Sequence, residues 1–132
     1  EGFKVDASAT DAEFLKERWG KFLLYPIVKK TWPDTQATTQ PYDIDLGGGL
    51  KIKELPNNGC LADYTKADVI AASFQKNADL WKAQPEKDVY LSIGFHQETA
   101  TKFLPQLREG IQAIKAAALA QKIPVDFIVR PF

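Results

Sequence analysis

Four groupings in this chain of 132 residues have the residue types that chemistry uses. Asp43 and Asp45 stand two apart, a spacing that puts paired carboxylates on one strand face for acid/base work or a metal. Gly47-Gly48-Gly49 has the backbone freedom of a phosphate loop or of a loop that closes on a partner. Cys60 and His96 are each the only residue of their kind, and a cysteine within hydrogen-bond reach of a histidine can become a thiolate nucleophile. His96, Glu98 and Arg130 are the polar residues that a parallel βαβ unit would gather at the carboxyl ends of its strands, where α/β sheets place ligands.

Weighing each grouping against its neighbours in sequence removes most of the chemistry. Tyr42, Ile44 and Leu46 alternate with Asp43 and Asp45, and beyond the glycines Leu50 and Ile52 alternate with Lys51 and Lys53, the pattern of a hairpin. A three-residue glycine loop places Leu46 opposite Leu50, Asp45 opposite Lys51, Ile44 opposite Ile52 and Asp43 opposite Lys53. Each aspartate then has a lysine partner, a solvated pair contributing about 0.2 to 1 kcal/mol, and needs no catalytic role. The glycines join two strands rather than a strand to a helix, and no lysine-serine or lysine-threonine pair follows, so the loop is a turn and not a nucleotide cradle. Three glycines exceed the needs of a turn, which makes Gly48 a candidate partner contact. Pro56-Asn57-Asn58-Gly59 is a second turn, with Asn58 and Gly59 suited to positive φ, and Cys60 behind it is expected to pack as a small hydrophobe. His96, Glu98 and Arg130 remain the candidate ligand residues, aided by free N–H groups at the start of the following helix. The competing account is a surface histidine, with an arginine paired to Glu98 or to a terminal carboxylate.

The elements that must position these residues follow from periodicity. Val89, Leu91, Ile93 and Phe95 alternate with Tyr90, Ser92 and Gly94, a strand. Val125, Phe127 and Val129 alternate with Asp126, Ile128 and Arg130, a second strand stopped by Pro131. Between them Phe103, Leu104, Leu107, Ile111, Ile114 and Ala118 form a helical stripe. A helix of about 18 residues spans roughly 27 Å and returns the chain for a parallel strand, right-handed by default. Pro105 fits best at the first position of that helix, the alternative being an earlier start, and Lys122-Ile123-Pro124 ends it. Upstream, Thr10-Asp11-Ala12-Glu13 forms a capping box for a helix bearing Phe14, Leu15, Trp19, Phe22, Leu23 and Ile27, kinked or ended near Tyr25 by Pro26. Thr65 caps a helix whose buried face carries Ile70, Phe74, Asn77 and Trp81. The expected fold class is α/β: a two-layer sandwich with a mixed sheet of about four strands, a β-hairpin plus a parallel βαβ unit, and about three helices mainly on one face.

Composition bounds the rest. Residues 1–132 are expected to form one domain. Lysine plus arginine and aspartate plus glutamate number 17 each, so neither a basic nucleic-acid surface nor an acidic tail is present. One cysteine excludes an intrachain disulfide and a multi-cysteine metal site. No apolar run approaches the ~18 residues of a membrane span, no leader pattern opens the chain, and no dinucleotide, hydrolase or metal motif occurs. No cofactor, metal or catalytic residue is assigned. The absence of methionine and the start at Glu1 point to a processed mature form or an excised fragment, compatible with a secreted, periplasmic or cytoplasmic location. The expected function is a noncatalytic binding protein that recognises or neutralises another protein, with Trp32, Tyr42, Gly48 and Tyr64 as contacts near loops and helix ends. The alternatives are a small enzyme acting on an anionic metabolite at the strand ends and a homo-oligomer with no site in this chain.

Overall fold

A computed structural model describes residues 4–16, 24–61, 65–96, 98 and 100–129, and for Cys60 and Leu61 the backbone only. The elements are β1 (Val5–Asp6), a 3-10 turn (Ala12–Leu15), α1 (Leu24–Thr31), β2 (Tyr42–Gly47), β3 (Leu50–Glu54), β4 (Cys60–Leu61), α2 (Ala67–Ala83), β5 (Ile93–Gly94) and α3 (Ala100–Gln121). This is a small α/β protein with helices packed against its strands. Its mixed three-stranded sheet has the order β1-β3-β2, with β1 parallel and β2 antiparallel to β3. A second, parallel pair sets Cys60 opposite Ile93 and Leu61 opposite Gly94. One run of chain links the two: it leaves β3 at Glu54, bridges to Thr10 at Asn57 and enters β4 at Cys60. Among the described residues no helix is long and apolar enough to cross a membrane.

The core lies where α2 and α3 meet. Ile70, Phe74 and Ala78 recur every fourth residue on α2, and Gly110, Ile114 and Ala118 do so on α3, so each helix buries one stripe. Phe14 and Ala37 close this core, and Leu91, Ile93 and Ile123 pack on it. Gly110 sets the approach of the helices: a Cβ there would lie 2.8 Å from Ile70 Cδ1. Asn77, on the same face, donates to the carbonyls of Ala37 at 2.7 Å and Ser73 at 2.9 Å, which is how an amide is accommodated in an apolar stripe.

The end of α3 is a Schellman motif. Ile123 N–H donates to Ala118 C=O at 2.9 Å and Lys122 N–H to Leu119 C=O at 3.2 Å, while Lys122 holds φ at 56°. Ile123 also meets the core beside Ala118, the apolar contact that accompanies this cap. A side chain at positive φ costs about 1 to 2 kcal/mol that glycine avoids. Lys122→Gly is therefore expected to raise the urea midpoint, with a gain of about 0.5 to 1 kcal/mol after allowance for the freer unfolded chain. An unchanged or lowered midpoint in equilibrium unfolding would show that the Lys122 stem offsets the strain.

Several expectations are corrected. The helix expected to open at Pro105 begins at Ala100 and carries Pro105 as its sixth residue, so the bond from residue 105 to the carbonyl of Thr101, an exposed residue, is missing. At the first cap Asp11, not Thr10, accepts the Glu13 N–H, at 3.0 Å. Thr10 is drawn away by its bridge to Asn57, and the Glu13 carboxylate is taken by Lys16 and the Tyr25 hydroxyl. The helix stripe between residues 17 and 23 lies outside the described residues. At α2 the N-cap is Lys66, without a side-chain cap; Thr65 is buried and its carbonyl accepts from Gln106 at 2.8 Å. The parallel βαβ unit is β4–α2–β5, one helix upstream of its expected place. Residues 125–129, expected as its second strand, make no ladder among the described residues. After the turn at Lys122 the chain lies along α3, with Phe127 beneath Lys115, 5.2 Å from Nζ to ring centre, and Val129 is 94% exposed. The alternation there records β propensity with no neighbouring strand to receive it.

The strand expected over 89–95 is reduced to Ile93–Gly94 because side-chain amides occupy the preceding backbone. Gln40 Oε1 accepts the Tyr90 N–H at 2.7 Å. Asn58 Nδ2 donates to the carbonyls of Tyr90 and Thr39, both at 2.8 Å, and its Oδ1 accepts the Ser92 N–H at 2.7 Å. Gly59 corrects the turn at 56–59: its φ is not positive. Its role is close approach, since its N–H donates to Ser92 C=O at 2.7 Å and an added Cβ would run into that same carbonyl oxygen.

Candidate functional site

The β2–β3 hairpin is the element whose exposed residues the core does not explain. Its ladder sets Asp43 opposite Lys53, Ile44 opposite Ile52 and Asp45 opposite Lys51, as the sequence requires. Of the two expected ion pairs, Asp43–Lys53 forms among the described residues, and the bond to the lysine holds the Asp43 carboxyl below its usual range. The Asp45 carboxylate accepts the Gly47 N–H at 2.8 Å. This draws the chain into a bulge, so that Leu50 faces Gly47 and Leu46 becomes the extra residue. Gly48 and Gly49 form a two-residue turn with φ of 61° and 80°, the positive values that a type I′ hairpin requires, and Gly47 holds 83° at the bulge. All three glycines are thus used by the turn itself. Leu46 and Leu50 stand 61% and 67% exposed on either side of it, and an added Cβ at any of the three glycines meets open space.

The base of the hairpin is acidic. Glu54 ends β3, is 1% exposed, and lies between Tyr42 on β2 and Asp6 on β1. Its Oε1 accepts the Ala9 N–H at 2.9 Å. The Asp6 carboxylate accepts from Ala7 N–H and Ser8 Oγ, each at 2.8 Å, beside Glu54 on the neighbouring strand. Burial pushes the Glu54 carboxyl up, opposed by the Ala9 bond, while the Ser8 hydroxyl leads the interactions that draw Asp6 down. Burial, then Glu54 and Asp6, raise the Tyr42 phenol.

No family model, curated protein or solved structure matches this chain.

The remaining expected site residues are dispersed. His96 and Glu98 are exposed between β5 and α3, beside a small depression lined by Phe95, Ala100, Phe103, Leu104 and Leu107, which is apolar. Arg130, their expected companion, and Tyr64 lie outside the described residues. Trp32 is half-buried just beyond α1. Tyr42 and Gly48 do share one element, at the base and tip of the hairpin, roughly 20 Å apart at about 3.3 Å per residue. The Cys60 side chain is outside what is described, so its relation to His96 stays an expectation. Among the described residues no group of three potential ligands gathers for a metal.

Sequence reasoning missed Asp6 and Glu54. Nothing local marks them, because they are brought together by parallel pairing across 48 positions of sequence. The one available signal is that Glu54 puts a charge at the position where the Leu50–Ile52 alternation calls for an apolar residue.

Proposed function

We propose that this chain is a noncatalytic binding protein that recognises another protein, with the β2–β3 hairpin as its contact element. The observation that carries this reading is the pair of leucines, Leu46 and Leu50, left in solvent on the two sides of a three-glycine tip. A single exposed leucine is ordinary. Two on one tip form an apolar cap, presented by strands whose register is fixed by the Ile44–Ile52 pairing and the Asp43–Lys53 ion pair. A rigid support limits the ordering that binding must impose on the tip, and Tyr42 adds an aromatic ring along the same ladder. Neutralising the partner fits the same contact if the tip enters a concave site.

Burying each leucine against a partner supplies about 1.5 to 3 kcal/mol. The test begins with copurification from the native host, which is expected to return one partner at near-equal amount. Calorimetric titration of that partner against Leu46→Asp/Leu50→Asp is then expected to show affinity weakened by at least about a hundredfold, with the unfolding midpoint within a degree or two of the parent. A partner bound equally well by the double variant removes the hairpin tip from the interface. Recovery of the free chain alone, with no binding on titration against host extract, sinks the binding function itself.

A further inference from the structure

We propose that Glu54 and Asp6 form a pH-sensitive latch that holds the N-terminal segment 4–10 against β3, closed while Glu54 carries a proton and released when it ionises.

Glu54 and Asp6 are direct partners in the parallel pairing of β1 with β3, and the Glu54 side chain is 1% exposed. Two carboxylates on neighbouring strands repel, the more so when one is out of water, and this favours a proton on one of the pair. Glu54 is the buried member and Asp6 the one already holding two donors, Ala7 N–H and Ser8 Oγ, so the proton resides on Glu54 and the charge on Asp6. Among the described residues the groups facing Glu54 offer no compensation for a second charge. From β1 comes the Asp6 carboxylate, from β2 the neutral Tyr42 phenol, and from the segment after β1 a single N–H, that of Ala9. No lysine forms an ion pair with either carboxyl among the described residues, and Lys53 is taken by Asp43. Ionising Glu54 in place therefore sets two like charges on paired residues, one of them out of water, a cost that opening the short edge strand relieves.

What opens is defined by the bonds that hold it. Lys53 N–H donates to Lys4 C=O at 3.0 Å, Leu55 N–H to Asp6 C=O at 2.8 Å and Asn57 N–H to Ala9 C=O at 2.8 Å. β1 is a two-residue strand, and its loss leaves the hairpin ladder intact while freeing the second edge of β3. The signs agree with this picture. Glu54, pushed up in the folded state, contributes stability that is full below its ordinary value and is lost as pH rises through its folded value. Asp6, drawn down, contributes stability that is full above its ordinary value and is lost as pH falls through its folded value. The latch is tightest between those limits.

Amide hydrogen exchange on the whole chain, divided at each pH by the intrinsic rate, tests the latch. In the parent, protection of Ala9, Leu55 and Asn57 is expected to fall by up to about tenfold per pH unit between the ordinary and folded values of Glu54, while Phe74 and Ala78 in α2 keep theirs. Glu54→Gln retains an acceptor for Ala9 and does not titrate, so its protection is expected to stay level with pH. Carbon-13 titration of the parent's Glu54 carboxyl gives a second readout that needs no variant. A carboxyl that titrates in the ordinary range, protection that is level in the parent, or a parent-like fall in Glu54→Gln each overturns the proposal.

Discussion

Asn58→Ala is expected to destabilise the fold by about 3 kcal/mol, among the largest losses for any single truncation outside the apolar core. The side chain is 1% exposed and makes three hydrogen bonds, to the carbonyls of Thr39 and Tyr90 and from the N–H of Ser92. Removing it leaves up to three backbone groups without that partner, each costing about 1 to 3 kcal/mol where water cannot reach. Tyr90 C=O keeps a longer bond of 3.3 Å from Gln40, so the lower part of that range applies there. For a domain of this size the loss corresponds to a melting temperature about 10 °C lower, measured by calorimetry or by the urea midpoint. Asn58→Asp is expected to do worse, because it turns a negative charge toward two carbonyl oxygens. A loss below about 1 kcal/mol in the alanine variant would mean that water enters and takes over all three bonds.

That amide also marks where the sequence was and was not legible. The hairpin register was readable because two independent patterns, apolar alternation and opposite charge, agreed on one pairing, and only Asp45 turning to Gly47 shifted the tip. The buried stripes of α2 and α3 were readable for the same reason, since periodicity alone decides which face a helix hides. Asn58 was not, because an asparagine before a glycine looks alike whether it turns a loop or ties three strands of backbone together. Its role depends on Thr39, Tyr90 and Ser92, none of them near it in sequence. The strand at 89–95 failed by the same cause, its N–H and C=O groups being claimed by Gln40 and Asn58. Residues 125–129 failed by the opposite cause, a strand pattern that joins no ladder among the described residues. In the candidate site Tyr42 and Gly48 were marked by type and position, but the exposure of Leu46 and Leu50 depended on a bulge, and the Asp6–Glu54 contact on a parallel pairing that no turn announces.

Gly59→Ala is expected to cost about 2 to 4 kcal/mol by breaking β5 away from β4, and the comparison that isolates the cause is Gly48→Ala. At Gly59 φ lies outside the left-handed region, so the penalty is steric: the new methyl would collide with the Ser92 carbonyl oxygen and come 2.9 Å from Ile93 Cγ1. Neither neighbour can yield cheaply. The Ser92 carbonyl accepts the Gly59 N–H at 2.7 Å, the Ser92 N–H is held by Asn58, and Ile93 packs on the core. Overpacking of this kind costs about 1 to 3 kcal/mol, and more when backbone must move. At Gly48 the reverse holds: the methyl meets nothing, and the penalty is the positive φ of 61° alone, about 1 to 2 kcal/mol. Urea unfolding is thus expected to rank Gly59→Ala as the more damaging of the two. Exchange of the Ile93 and Gly94 amides is expected to quicken in Gly59→Ala and stay unchanged in Gly48→Ala. Equal losses, or unaltered exchange at Ile93 and Gly94, would show that β5 gives way around the methyl and that contact with Ser92 is not what requires glycine at position 59.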